Sequence, residues 1–198
     1  WYIIVTNPVD ALATLVSKLV GKTYRVIGTG TSLETSRFRV ALSKELNVPL
    51  SSIEAYVAGE HGEEAVLLWS TVNIDGEPLS QYLDRTDRKL DKEKIEIYIK
   101  NISSEIIKIQ GATIWGPAGT FIEIIRGIAL NTGKILCFST SRKFKDIPEP
   151  IHISLPTKIG RRIGPSIWER LQEEEKQKIY RAASIIYETY RRCLTAIE

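Results

Sequence analysis

The first thirty residues alternate short apolar runs with one segment of helical periodicity. Residues 1–8, "WYIIVTNP", are almost wholly apolar until Asn-Pro ends the run, which is typical of a buried parallel strand that leads into a loop. Residues 9–21 then carry apolar side chains at helical spacing, between Pro8, which suits a first helical turn, and Gly21, which suits a C-terminal cap. Residues 24–30, "YRVIGTG", form a second short apolar run. The order predicts a βαβ unit, and open α/β sheets bind ligands at the carboxyl ends of such strands.

Beyond residue 31 the periods of helix and strand are mixed. Helical spacing predicts four helices, over residues 32–47, 91–111, 117–132 and roughly 168–196. Strand-like patterns predict one strand from Ile53 into the loop of His61, another over 65–74 before the turn "IDGEP", and an antiparallel pair over 134–140 and 149–156. The succession predicts an α/β and α+β protein, in which the end of a doubly wound parallel sheet is followed by a mixed α+β domain.

Two of these helices have an expected buried face. We expect Asp91 to cap the helix over 91–111, and isoleucines to form one apolar stripe along it at positions 95, 99, 102, 106 and 109. On the final helix the residues expected to be buried are Leu171, Ile179, Ala183, Ile186 and Tyr190.

Composition narrows the possible classes of protein. The chain has 198 residues, 43% of them apolar, which suits one generous domain or one domain plus a fragment of another. The net charge of +3 is dispersed, and its densest basic stretch, residues 158–164, is short, so we expect no nucleic-acid partner. No apolar run reaches the roughly 18–20 residues that span a bilayer, so we expect no membrane partner. The isolated cysteines Cys137 and Cys193 are expected to be reduced, which predicts a cytoplasmic protein.

The start of the sequence carries a further expectation. It begins at Trp1, inside a strand-like run, and it contains no methionine. A primary translation product begins with methionine, so we expect part of the protein to precede Trp1.

Three polar positions could carry chemistry, and each has an ordinary structural alternative. Asn7 could hold a ligand at the end of the first strand, or Asn-Pro could simply make a turn. Glu34 and Arg37, spaced i, i+3, could form a surface ion pair, or Arg37 could grip a carboxylate through two parallel hydrogen bonds. His61, in "GEHGEE", could be a polar turn residue or a general acid/base, since its ordinary pKa is near 6.5.

Taken together and in order, these segments resemble a known family. "IIVTNPVD", "RVIGTGTSLETSRFR", "AGEHGEE" followed by "VLLWS", and "GATIWGPAGTFIEII" are similar to the lactate/malate dehydrogenase family along essentially the whole chain. The resemblance implies a Rossmann-type sheet end at residues 1–30 and the family's catalytic domain at residues 31–198. It implies an oxidoreductase that transfers a hydride between NAD or NADP and a 2-hydroxy or 2-keto acid, with malate favoured over lactate.

The resemblance also implies roles for individual residues. His61 would exchange a proton with the substrate oxygen, and Glu34 would take the place of the residue that orients it. Arg37 would bind the carboxylate of a small dicarboxylate or monocarboxylate substrate, and Thr113 would line the pocket. Asn7 would lie beside both substrate and nicotinamide, and Val5 would contact the cofactor. No metal is implied, and relatives suggest a homo-oligomer, either a dimer or a tetramer.

Two departures from the family pattern qualify this interpretation. The family has aspartate where this chain has Glu34, so catalytic geometry is in question, and on the family pattern alone Glu34→Asp should leave turnover unchanged or raise it. The glycine-rich phosphate loop, the ribose-binding acid and the substrate-closing loop of the family are absent from the sequence. The alternative hypothesis is therefore a non-catalytic binding or assembly module derived from the same fold.

Overall fold

A computed structural model describes residues 1–21, 23 and 25–196. A six-stranded mixed sheet, in the order β1-β2-β8-β9-β4-β5, forms its centre, and a three-stranded sheet, β3-β6-β7, lies beside it. The strands are β1 Tyr2–Ile4, β2 Val26–Gly28, β3 Ile53–Glu54, β4 Val57–Gly59, β5 Ala65–Leu67, β6 Asn73–Ile74, β7 Glu77–Pro78, β8 Ile135–Arg142 and β9 Ile151–Lys158. The helices are α1 Val9–Val20, α2 Ser32–Leu46, α3 Leu79–Thr86, α4 Lys92–Gln110, α5 Trp115–Ala129 and α6 Glu173–Thr195.

The predicted βαβ unit is present, with one correction to its burial. Strands β1 and β2 pair in parallel and α1 connects them, as expected. The prediction that the first strand is buried is wrong: Tyr2 is 43% exposed and Val5 52%. The reason is position, because β1 is the edge strand of the sheet, and in the described chain only its Ile3 packs on the core formed with Ile27, Ile124 and Phe138. The predicted start of the second strand, Tyr24, lies outside the described residues.

The antiparallel pair β8–β9 joins the two halves of the large sheet. Its strands are paired over eight residues each, from Ile135 opposite Lys158 to Arg142 opposite Ile151. The parallel part attaches to β8 through Gly28, which is opposite Ser139, and β4 attaches to β9 through Gly59, which is opposite Ser154. The sheet is therefore continuous from the βαβ unit to the hairpin β4–β5.

Helices cover both faces of this sheet. On one face α6 packs on β4, β5 and β9, and Tyr190 of α6 packs on Ala11 and Leu15 of α1. On the other face α2 packs with α3 and α4 over Val57 and Leu67, while Ile124 of α5 packs on β2 and β8. Alternate residues of β4 and β5 point to the two cores, as the period of a strand requires.

Several predicted elements differ in detail. Residues 53–74 form four short strands instead of two: the first predicted strand is divided between Glu54 and Val57, and a 3₁₀ turn at Trp69–Thr71 divides the second. Helix α3 was not predicted. The isoleucine stripe of α4 is buried only at its start: Ile95 is 2% exposed but Ile109 is 83% exposed. Helix α5 begins at Trp115, before Pro117.

The expectations for helix ends and for the last helix mostly hold. Asp91 caps α4 by accepting a hydrogen bond from the Lys94 amide, as expected. Residues Ile179, Ala183, Ile186 and Tyr190 are buried on α6. Leu171 is buried too, but it precedes the helix, which begins at Glu173 after a separate 3₁₀ turn.

His152 is locked into β9 in its neutral form. It is 2% exposed, its backbone amide donates to the Thr14 hydroxyl at 2.8 Å, and its ring Nε2 donates to the Val26 carbonyl at 3.1 Å. Burial lowers the pKa of His152 to about 4, although the bond to Val26 acts in the opposite direction. Between pH 6.5 and pH 4, therefore, His152 is protonated in the unfolded chain but stays neutral in the folded chain.

We therefore expect His152 to lower the free energy of unfolding as the pH falls from 7 to 5, by about 2 kcal/mol. In His152→Gln, which retains a donor in the ring's place, this part of the pH dependence should disappear. Urea denaturation of the natural protein and the variant at both pH values measures it. Equal losses in both proteins would contradict the assignment. His61 is unchanged in the variant and serves as the internal reference.

Candidate active site

His61 lies in the tight turn between β4 and β5. The turn closes at Gly59, whose φ is +89°, and a Cβ there would lie 2.6 Å from the Glu64 carbonyl oxygen. The backbone amide of His61 donates to Asp10 Oδ2 at 2.8 Å, so the first turn of α1 holds the loop. The position of His61 is therefore set by two separate elements, the hairpin and α1.

Glu34 approaches the same histidine from the first turn of α2. Thr31 donates its hydroxyl to the Val57 carbonyl, and the Val57 amide donates to the Thr35 hydroxyl, so this turn is fixed against β4. His61 Nδ1 lies 3.1 Å from both oxygens of the Glu34 carboxylate. The longer side chain thus reaches the imidazole.

This contact determines which nitrogen of His61 can exchange a proton. A carboxylate only accepts, so Nδ1 carries a hydrogen and donates it to Glu34. Nε2 makes no hydrogen bond to any residue that the structure describes. The side chain is 23% exposed, which leaves Nε2 accessible. A histidine held in this way presents one nitrogen for proton transfer.

Charges around the ring stabilise its protonated form. Burial is the largest influence and acts to lower the pKa of His61. The Glu34 hydrogen bond and charge, with the charge of Asp10, outweigh it and raise the pKa of His61 above its usual value, although Arg37 opposes them. A raised pKa keeps a proton available on the ring near neutral pH.

Arg37 and Thr113 line a single large cavity. Its volume is about 870 Å³, and its walls come from α2, from Tyr98 and Ile106 of α4, and from the loop that leads into α5. Arg37 donates to the Ser103 hydroxyl, and burial lowers the pKa of its guanidinium, which nevertheless stays charged. His61 is not a wall residue of this cavity, but it is near enough to Arg37 for their charges to interact.

Val5 and Asn7 take no part in these contacts within the described residues. Both are exposed at the carboxyl end of β1, and the Asn7–Pro8 peptide is cis. The Asn7 side chain bonds to nothing within the described residues. The structure thus brings Glu34 into contact with His61 and places Arg37 and Thr113 around one cavity. Val5 and Asn7 are exposed at the end of the edge strand β1.

A metal site, a membrane span and a reactive cysteine each have requirements against which the described residues can be compared. Within residues 1–21, 23 and 25–196, no cluster of three or more histidine, cysteine or acidic side chains could hold a metal ion. No helix in the same ranges is long and apolar enough to cross a membrane. Cys137 and Cys193 are free, and burial raises the pKa of Cys137 to about 12, so its thiol is unreactive.

Sequence reasoning missed one functional candidate, Asp10. It was assigned only to the helix after Pro8, yet it is 2% exposed and bonded to the His61 loop. A signal was available, because an acidic residue in the first turn of a helix flanked by Val9 and Ala11 has a carboxylate among apolar neighbours. Such a group needs a partner, and the pattern alone could not show which one.

Comparisons with known proteins agree with the fold and extend over the site. Residues 31–193 match a family model described as the lactate/malate dehydrogenase alpha/beta C-terminal domain. The chain is 40% identical over 197 residues to the malate dehydrogenase of Sulfolobus acidocaldarius, covering 100% of this chain and 61% of that enzyme. It is 33% identical over 190 residues to the L-lactate dehydrogenase of Staphylococcus saprophyticus, covering 94% of this chain and 60% of that enzyme.

A solved structure gives the same result. The crystal structure of a lactate dehydrogenase from a Medee basin deep-sea metagenome library matches with a TM-score of 0.87 at 29% identity, over 94% of this chain and 61% of that one. The chain therefore spans about 60% of the length of the relatives that it matches.

The Glu34 contact yields a prediction about the histidine itself. Glu34→Gln keeps the length of the side chain and removes its charge, so the pKa of His61 should fall while its burial stays the same. Nuclear magnetic resonance titration of the imidazole in the natural protein measures this, with the signal assigned by its loss in His61→Asn. The control is Glu64→Gln, which removes the same charge from the same turn. Glu64 pairs with Arg181 at 3.3 Å and not with His61, so the pKa of His61 should stay unchanged in this variant. An unchanged pKa in Glu34→Gln would show that the carboxylate does not govern the ring.

Proposed function

This chain belongs to the lactate/malate dehydrogenase family, and we propose that it is the substrate-reacting part of an NAD(P)-dependent 2-hydroxy-acid dehydrogenase. The observation that carries the proposal is the contact of the buried Glu34 carboxylate with the half-buried His61, in which Nδ1 is held and Nε2 is accessible. A proton donor with one nitrogen fixed and a pKa raised above its usual value suits the interconversion of a carbonyl and an alcohol.

The chain's own contribution to the reaction is the proton. In the reducing direction Nε2 of protonated His61 donates to the substrate's carbonyl oxygen, which would otherwise become an alkoxide. The imidazole is then neutral, and its remaining hydrogen stays on Nδ1, which still donates it to the Glu34 carboxylate. In the oxidising direction Nε2 takes the proton from the hydroxyl. The nicotinamide of NAD or NADP, when bound, supplies or accepts the hydride at the neighbouring carbon.

Arg37 is proposed to bind the carboxylate that every such substrate carries. It is half-buried on the wall of the large cavity, so a bidentate bond to a carboxylate there would be stronger than at an open surface. Thr113 is on the same wall and would contact the rest of the substrate. Arg37 lies one turn beyond Glu34 on α2, so one helix would present both the clamp and the partner of the acid/base.

Val5 and Asn7 fit the role of a cofactor surface. One is apolar, the other has an amide without a partner in the described chain, and both are exposed where the parallel strand β1 ends. The carboxyl edge of parallel strands is where doubly wound sheets bind dinucleotides. We accordingly assign residues 1–30 to the end of a dinucleotide-binding domain and residues 31–198 to the catalytic domain. The family model begins at residue 31, which supports this boundary.

The preferred substrate, the oligomeric state and the cellular compartment are proposed from the relatives and from the cysteines. Malate is favoured over lactate, since identity is 40% to two malate dehydrogenases, but 33% to the L-lactate dehydrogenase of Staphylococcus saprophyticus and 29% to the lactate dehydrogenase of the deep-sea library. A homo-oligomer, dimer or tetramer, is proposed. The two free cysteines support a reducing compartment such as the cytoplasm. The non-catalytic alternative is less favoured, because a binding module would have no use for a histidine whose Nδ1 is held by a buried carboxylate.

The main test removes the acid/base. In the natural protein that contains this chain, His61→Asn should lower kcat/KM for oxaloacetate or pyruvate with NADH by about 10²–10⁴-fold, since no proton donor remains. Glu63→Gln, an exposed change in the same turn, should leave the rate unaltered. Full activity in His61→Asn would exclude His61 as the proton donor. A natural protein inactive with both substrates and unable to bind NADH would favour the binding module.

The identity of residue 34 gives a second test. The family pattern suggests that aspartate is harmless here, whereas the contact between Glu34 and His61 leads us to propose the opposite. Aspartate is shorter by one methylene, about 1.5 Å, and would withdraw both oxygens from Nδ1. Glu34→Asp should therefore lower kcat by about ten-fold or more, with KM little changed. Steady-state kinetics decides, and an unchanged kcat would show that α2 shifts to restore the contact.

A further inference from the structure

Asp10 is a buried carboxylate with a single hydrogen bond. Its side chain is in the first turn of α1, where only 2% of the residue is exposed. Oδ2 accepts the His61 backbone amide at 2.8 Å, while Oδ1 has no partner within the described chain. Burying a carboxylate is unfavourable, and among the described residues the His61 amide is the one donor within 3 Å of it.

That bond joins two elements that otherwise share no side-chain hydrogen bond. Among the residues described, it is the sole one between α1 and the turn at residues 60–64. Helix α1 follows directly from Asn7 and the proposed cofactor edge. The turn carries His61, and its other bonds are to Glu34, to its own backbone and to α6. Asp10 thus connects the βαβ unit with the proposed acid/base.

The surroundings of Asp10 contain few groups that could take over its role. Glu60 and His61 face it from the turn, and the Ser139 hydroxyl faces it from β8, close enough to favour the charged carboxylate. Helix α6 contributes Ile186 and Thr189, which do not titrate. Burial raises the pKa of Asp10 to about 6, partly offset by the His61 amide and by Ser139, so the carboxylate is mostly ionised at neutral pH. Its charge then helps to raise the pKa of His61.

We propose that Asp10 is a positioning residue, whose carboxylate holds the backbone of His61 while Glu34 holds its ring. Two points fix the orientation of Nε2: the amide tied to α1 and Nδ1 tied to α2. The inference rests on the proposed function, since it concerns the residue that would exchange the proton. It adds a second anchor, contributed by helix α1, which follows the proposed cofactor edge in the chain.

Two substitutions separate the hydrogen bond from the charge. Asp10→Asn keeps an oxygen that can accept the His61 amide and removes the charge. Asp10→Ala removes both. In the natural protein, Asp10→Ala should lower kcat for the 2-keto acid by about 10–100-fold. KM should change little, because the substrate carboxylate is bound by Arg37. Asp10→Asn should retain most of kcat, but the pKa of the acid/base in the kcat–pH profile should fall.

The matched control is Thr14→Val, one turn further along α1. Thr14 is 4% exposed and bonds to the backbone of Asp10 and of His152, so its loss weakens the same helix without touching the turn. We expect Thr14→Val to lower the unfolding midpoint and to leave kcat and its pH profile unaltered. If Asp10→Ala and Thr14→Val behaved alike, the role of Asp10 would be structural only, and the inference would be overturned.

A readout without catalysis distinguishes failure of this inference from failure of the proposed function. Hydrogen exchange of the His61 amide should be slow in the natural protein and in Asp10→Asn, but fast in Asp10→Ala, and the ring should titrate lower in both variants. These results with no dehydrogenase activity would overturn the function and keep the anchor. Activity with slow exchange and an unshifted titration in Asp10→Ala would overturn the anchor and keep the function.

Discussion

The architecture depends on close approach of four strands at the centre of the large sheet. Gly28, Ser139, Ser154 and Gly59 are opposite one another in successive pairs across β2, β8, β9 and β4. Nothing larger would fit: a Cβ at Gly28 would lie 2.9 Å from the Ser139 Cβ. Because these residues are small, the start of α1 and the loop before α2 can pack directly against the sheet. The Thr31 amide of that loop donates a hydrogen bond to the Ser154 hydroxyl. Glu34 and Asp10 reach His61 because the helices that carry them begin so close to the surface of the sheet.

The same closeness sets the electrostatics of the site. Two buried carboxylates lie against one half-buried imidazole, and each group alone would be unfavourable in such surroundings. The protonated histidine compensates both acids, while the acids compensate its burial and raise its pKa. A proton on the ring is thus stabilised by groups from two helices on opposite faces of the sheet. This arrangement requires the complete fold, since no local segment contains more than one of the three residues.

Much of the fold was predictable, and the misses have physical causes. The βαβ unit, α2, the long helices and the β8–β9 pair followed from periodicity and from caps such as Asp91, because burial of one face repeats along the chain. The exposure of β1 and of Ile109 was not predictable, since an apolar pattern shows what could be buried but not what lies against it. The turn at Trp69–Thr71 also escaped, because Glu175, which accepts from the Ser70 amide and hydroxyl, is more than a hundred residues away.

The sequence by itself determined the kind of protein and the residues of its proposed chemistry. His61, Glu34, Arg37 and Thr113 were identifiable because ordered motifs along the chain carried the resemblance to the family. Tertiary structure alone decided how they meet: that Glu34, one methylene longer than the family residue, still contacts Nδ1, and that Asp10 holds the histidine's amide. The physical reason is distance. A contact of about 3 Å depends on how two helices are seated on a sheet, and that seating is set by side chains far from either partner.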